Sequence, residues 1–140
     1  MRIKITADST CDLIQELIEK YDITLMPLTI IKDGQNYLDN VTITPADIYA
    51  HVASGGALCS TAAGNIGDYQ QLFSEYAAQY DGLIHISLGS GFSSSYQNAC
   101  LAAEDFPNVM VVDSQNLSTG QGLVVLHACQ LAASCQSLQQ

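Results

Sequence analysis

At 140 residues, 48% of them hydrophobic, the chain is long enough to bury one core and too apolar to stay disordered. A balance of 14 acids against 4 cations (Arg2, Lys4, Lys20 and Lys32) gives a formal charge of -10, which excludes a basic stripe for nucleic-acid backbones or anionic lipid surfaces. Five cysteines without C-x-x-C spacing argue against a disulfide framework or a zinc site, and the absence of an apolar leader or a long apolar run predicts a cytoplasmic protein with reduced thiols and no membrane span.

Ile3 to Ala7 alternates as a short strand does, and Ser9-Thr10-Cys11-Asp12 reads as a capping box opening a helix with Leu13, Leu17 and Ile18 on one face. Ile23 to Ile31 predicts a second strand, with Pro27 marking an edge or a bulge because it has no N–H for a ladder. Lys32-Asp33-Gly34-Gln35 turns into Asn36-Tyr37-Leu38, a small hairpin. Thr44-Pro45-Ala46-Asp47 starts a helix running to about Ala53, with a capping threonine, a proline at the first helical position and an acid at the third. Gly55 to Gly64 reads as a loop, after which Asn65 and Asp68 cap a helix whose stripe of Ile66, Tyr69, Leu72, Phe73, Tyr76 and Tyr80 faces a core. Leu83 to Ser87 is a strand, Ser94 to Asp105 a helix, Val109 to Val112 a strand, and Ser118-Thr119-Gly120-Gln121 caps a last helix through Leu138. This alternation predicts an α/β fold, a mostly parallel sheet with helices on both faces in a single three-layer domain. The polar tail from Ser137 to Gln140, with no closing strand, reads as a cut.

Ligands of such sheets sit beyond the carboxyl ends of the strands. Those ends carry Asp8-Ser9-Thr10, Ser87 to Ser95 and Asp113-Ser114, and Ser60-Thr61 precedes a helix. Hydroxyls and helix N-terminal amides suit an anion, although the rim has no Arg, Lys or His. Architecture alone accounts for part of this: Ser94-Ser95-Tyr96-Gln97 reads as a capping box, Gly89 and Gly91 suit a tight turn, the hydroxyls of Ser87, Ser90, Ser93 and Ser95 could face water, and Asp8 and Asp113 could only hold loops. A nucleotide- or other small-anion-binding module is the alternative, because Gly89-Ser90-Gly91-Phe92-Ser93-Ser94 falls one residue short of G-x-G-x-x-G, with Asp113 at the next strand end. No G-x-S-x-G elbow occurs, His85 sits in an apolar strand, His51 and His127 fall on helices, and Cys59 lacks a basic neighbour. Neither hydrolysis nor metal binding is predicted.

The ordered set Ala7-Asp8-Ser9-Thr10, Met26-Pro27-Leu28, Ser60-Thr61-Ala62-Ala63, Ser93-Ser94-Ser95-Tyr96-Gln97-Asn98-Ala99 and Asp113-Ser114 with Ser118-x-Gly120-x-Gly122 resembles the DegV family. The resemblance implies that residues 1–140 form the first domain of a two-domain architecture, with the second domain absent. It also implies a non-enzymatic, cofactor-free protein that buries a long-chain fatty acid and, in some members, presents it to a fatty acid kinase. By position, Thr61 and Ser93 match the hydroxyl residues that hold the carboxylate, with Ser60, Ser94, Asp8 and Ser9 as further ligand-binding candidates. The commoner motifs S-G-T-Y and T-S-Q-P read Ser93-Ser94-Ser95-Tyr96 and Ser60-Thr61-Ala62-Ala63 here, departures that keep the hydroxyls. An apolar wall left uncovered by the missing domain would favour self-association.

Overall fold

A computed structural model describes residues 1–135, 137 and 138. Along the chain come β1 (Ile3–Asp8), α1 (Gln15–Lys20), β2 (Thr24–Met26), β3 (Thr29–Lys32), β4 (Gln35–Leu38), α2 (Pro45–Ala53), β5 (Ser60–Ala62), α3 (Ile66–Ala77), β6 (Gly82–Ser87), α4 (Ser95–Ala103), β7 (Val109–Asp113) and α5 (Thr119–Ala132). β1, β2, β6 and β7 make a parallel sheet in the order β2-β1-β6-β7, with Thr6 opposite both Thr24 and His85. Alternation along the strands sends side chains to both faces, and helices cover each. On one face α3 and α4 pack Tyr69, Leu72, Phe73, Ala99 and Ala102 against Leu83 and Val109; on the other, Val125 and Cys129 of α5 meet Ile5, Ala7 and Ile86. This is the expected three-layer α/β arrangement.

The local signals behave as chemistry requires. Thr44 and Asp47 form a reciprocal capping box at α2, and the Asn65 side chain accepts from the Asp68 amide at 2.9 Å. Asp33 and Gly34 both have positive φ, 50° and 76°, the conformation of a two-residue turn that suits the twist of β3 and β4.

Five expectations are corrected. The strand predicted over Ile23 to Ile31 is two strands: Pro27 interrupts it, the Leu28 amide turns to the Ser9 hydroxyl at 3.2 Å, and β3 leaves for a separate antiparallel sheet of order β4-β3-β5. Ser60–Ala62, read as loop, is the β5 edge of that sheet, with Ser60 opposite Ile31 and Thr61 opposite Ile30. Ser9 does not cap a helix. Ser9–Cys11 form a single 3-10 turn ended by Asp12 in the left-handed region, and α1 begins at Gln15. Ser94 and Ser118 likewise make no side-chain cap, because Ser94 is already helical in its backbone and the Ser118 hydroxyl goes to Asp12 at 2.7 Å. α5 stops at Ala132, short of the expected Leu138, and the predicted tail at Gln139 and Gln140 lies outside the described residues.

Candidate functional site

β1 and β6 place a polar row on the α3 face of the sheet: Thr6 and Asp8 from one strand, His85 and Ser87 from the other, all buried. Asp8 lies at its centre. One carboxylate oxygen accepts from the Tyr69 hydroxyl at 2.7 Å and faces His85 Nε2 at 3.3 Å; the other accepts from the Ser87 hydroxyl at 2.8 Å and the Leu88 amide at 2.9 Å. Burial would raise the Asp8 carboxyl, but the attraction of His85 and the hydrogen bonds from His85, Tyr69 and Leu88 outweigh it and hold it below the usual carboxylate range. Both oxygens are occupied and shut away from solvent, so Asp8 does not stand on the rim as a ligand contact. It fastens the exit of β6 to β1 and α3 instead.

His85 also contacts Thr6 Oγ1 at 2.9 Å through Nδ1. Asp8, His85 and Thr6 thus have the parts of a nucleophilic triad, but all three are sealed beneath Tyr69 and Phe73, whose rings lie 5.2 and 5.7 Å from the imidazole. No substrate reaches Thr6 there.

Ser9 is buried as well, donating to Asp39 at 2.6 Å while accepting from Leu28, and so it ties β1 to the second sheet. Thr61 is exposed on β5 and lines a cavity of about 270 Å³ floored by Leu28 and Ile30 and flanked by Leu117. Ser60 is exposed beside it. Ser93 and Ser94 line a different groove, about 530 Å³, with Tyr96 and Gln97. Thr61 and Ser93 therefore line separate hollows, yet their segments are joined: the Gly64 amide donates to the Ser95 hydroxyl at 3.2 Å, and Asn98 Nδ2 donates to the Gly64 carbonyl at 2.8 Å. Neither hollow is lined by a cation.

In the glycine-rich loop that motivates the nucleotide alternative, one amide is already engaged. The Ser90 amide donates to Asp113 at 3.0 Å, and the same carboxylate oxygen accepts from Gln115 at 2.9 Å, so one oxygen of the acid that would meet a ribose serves its own loop. All five cysteines are free, and burial pushes the Cys129 thiol up to about 11, which makes it a packing group and a poor nucleophile. Among the described residues, no three His, Cys, Asp or Glu side chains gather as metal ligands would, and no helix is long and apolar enough to cross a membrane.

A family model described as "Uncharacterised protein, DegV family" matches residues 2–140. The chain belongs to the DegV family. A DegV domain-containing protein of Clostridium perfringens is 36% identical over 99% of this chain, which covers 50% of that relative. The solved structure of a DegV family protein from Thermus thermophilus, described as fatty-acid-binding, superposes with a TM-score of 0.90 at 35% identity, covering 99% of this chain and 50% of that one. A fatty-acid (stearic acid)-binding protein from Eubacterium ventriosum matches with a TM-score of 0.88 at 29% identity over 99% of this chain and 50% of its own. The chain thus spans about half the length of the DegV relatives it matches.

Sequence reasoning missed the hydrogen bonds that join the DegV loops to one another, although it placed Tyr69 on a core-facing stripe. Ser95, grouped above with hydroxyls that could face water, is fully buried, as are Ser87, Tyr69 and Gln121. Gln121 accepts from Thr10 at 2.7 Å and donates to the Ile86 carbonyl at 3.2 Å, locking the start of α5 to the strand ends. A glutamine just ahead of the apolar run Leu123 to Leu126 was a visible signal; for Ser95, one serine in a run of serines, there was none.

Proposed function

We propose that this DegV chain binds a long-chain fatty acid as a non-enzymatic, cytoplasmic carrier that presents the acid's carboxylate to a fatty acid kinase. The observation that carries the reading is the likeness, over 99% of the chain, to a solved DegV protein described as fatty-acid-binding. Thr61 and Ser93 hold the carboxylate through their hydroxyls, aided by amides near the start of α4, with Ser60 and Ser94 beside them. Leu28, Ile30 and Leu117 supply apolar wall for the tail, and a second domain, present in the longer relatives, supplies the rest. Hydroxyls in place of a cation leave the carboxylate neutralised only by hydrogen bonds, so it stays accessible to a phosphoryl donor.

Mass spectrometry of ligand extracted from protein expressed in bacteria tests the class of ligand; a nucleotide in place of a fatty acid would overturn the reading. Thr61→Ala and Ser93→Ala should each remove a charge-assisted hydrogen bond, on the order of 1.5–3 kcal/mol, and weaken fatty-acid binding roughly tenfold or more in a titration. Ser90→Ala is the control: Ser90 lines the same groove as Ser93, but its hydroxyl and amide both serve Asp113. Equal loss at all three positions would mean general damage to the loops. Ser95→Ala is unsuited as a control because its hydroxyl is buried between three segments.

A further inference from the structure

α2 buries none of its side chains, and β5, which carries Thr61, is a three-residue edge strand paired only with β3. Between them runs the turn from Ser54 to Cys59, with Leu58 exposed on it. His51 of α2 ties these pieces together. Its Nε2 lies 3.0 Å from the Ala57 carbonyl oxygen and 3.6 Å from Asp33 Oδ1 in the β3–β4 turn. Gly56 lies so close to the imidazole that an added Cβ would fall on Cε1, Nε2 and Nδ1, and only 13% of the His51 side chain is exposed.

A carbonyl and an ionised carboxylate can only accept, so a neutral ring facing both must carry its proton on Nε2. The ring then donates to Ala57, on the short run that leads into Ser60 and Thr61. A strand paired on one side takes its direction from two places, its ladder and its entry. For β5 the ladder is β3 and the entry is held by His51.

We propose that His51 is a positioning residue of the carboxylate seat: by holding Ala57 to α2 and to the β3–β4 turn, it sets the direction in which Thr61 offers its hydroxyl to a head group. This rests on the fatty-acid reading above. Gly56 belongs to the same device, because a side chain there would push the imidazole off Ala57. Released from the ring, the run from Gly56 to Cys59 hangs between a helix that buries nothing and the outer strand of a sheet. Thr61 then donates over a spread of directions. A carboxylate loses by that, since a hydrogen bond weakens steeply off its line, whereas an apolar tail against Leu28 and Ile30 does not.

The test is a titration of decanoate and of decanol, matched in chain, into the 140-residue protein and its variants, followed by amide chemical shifts so that weak binding is measured. His51→Ala is expected to lower the preference for the acid over the alcohol by roughly threefold to tenfold, the scale of one hydrogen bond. Gly56→Ala should do the same while keeping the imidazole, since the backbone there has no positive φ and the ring is what must move. His51→Gln, whose Nε2 can reach the Ala57 carbonyl, should restore most of the preference. Made on Thr61→Ala, none of these changes should move it further. A merely structural role for His51 would weaken both ligands alike and persist on Thr61→Ala, and that result overturns the proposal. Loss of preference in Thr61→Ala with none in His51→Ala or Gly56→Ala would also overturn it while leaving the fatty-acid reading intact; acid binding unchanged in Thr61→Ala, or absent from the wild-type chain, would sink both. A second measurement needs no variant: nitrogen NMR of the neutral His51 ring should place its proton on Nε2. A proton on Nδ1 instead would turn a lone pair toward Ala57 and overturn the proposal.

Discussion

Asp8→Ala is expected to cost about 3–5 kcal/mol of folding stability, the loss seen when one member of a buried, hydrogen-bonded polar pair is removed. Four donors, from Tyr69, His85, Ser87 and Leu88, would be left facing a space that water does not reach. For a chain of this size that is a fall in Tm of roughly 10–20 °C in a thermal melt followed by circular dichroism. Asp8→Asn keeps the volume and one acceptor oxygen but sets an NH2 against the donors on the other side, and is expected to lose about 1–3 kcal/mol. The pH dependence has a definite sign. Because the Asp8 carboxyl lies below its ordinary 3.8, its contribution is complete above that value and is lost as pH falls through the lower folded value. The wild-type chain should therefore lose stability in acid more steeply than Asp8→Asn does. A drop of only a degree or two in Asp8→Ala would show that the polar row is spectator to the fold.

A 16-carbon acid is expected to bind this chain about four decades more weakly than it binds a DegV relative of twice the length. Its 14 methylenes are worth roughly 11 kcal/mol if all are buried at about 0.8 each. The chain contributes a floor of Leu28 and Ile30, both buried, but Leu117 beside them is 44% exposed, and Phe92 and Leu58 on neighbouring loops are 64% and 84% exposed. Apolar groups on one side of a tail cover about half of it. Half of the apolar gain is then forfeited, and at about 1.4 kcal/mol per tenfold the deficit reaches four decades. The same uncovered side chains should promote self-association. Titration with a fluorescent fatty acid, run with light scattering, measures both. Tight binding by a strictly monomeric chain would mean that these residues close over the tail unaided.

The candidate site was legible in unequal parts. Thr61 and Ser93 were reachable only through the ordered motifs of a family, because an exposed threonine in a three-residue strand and a serine in a run of serines carry no periodicity to distinguish them. Ser9 and Asp8 were legible as polar groups at a strand end but not as buried ones. Their partners decide that, and these lie at Asp39, Tyr69, His85, Ser87 and Leu88.

By itself the sequence determined what depends on near neighbours: the strand and helix periods that sort side chains to the two faces of the main sheet, the caps at Thr44 and Asn65, and the Asp33-Gly34 turn. These follow from sterics and hydrogen bonds within a few residues, which every copy of the same stretch would repeat. Only the tertiary structure decided that the chain divides at Pro27 between two sheets, that Ser60–Ala62 pairs with β3, and that Asp8 is buried. Asp8 draws its donors from 61 to 80 residues away. A carboxylate stays in the interior only when distant groups arrive to satisfy it, and no local pattern records whether they will.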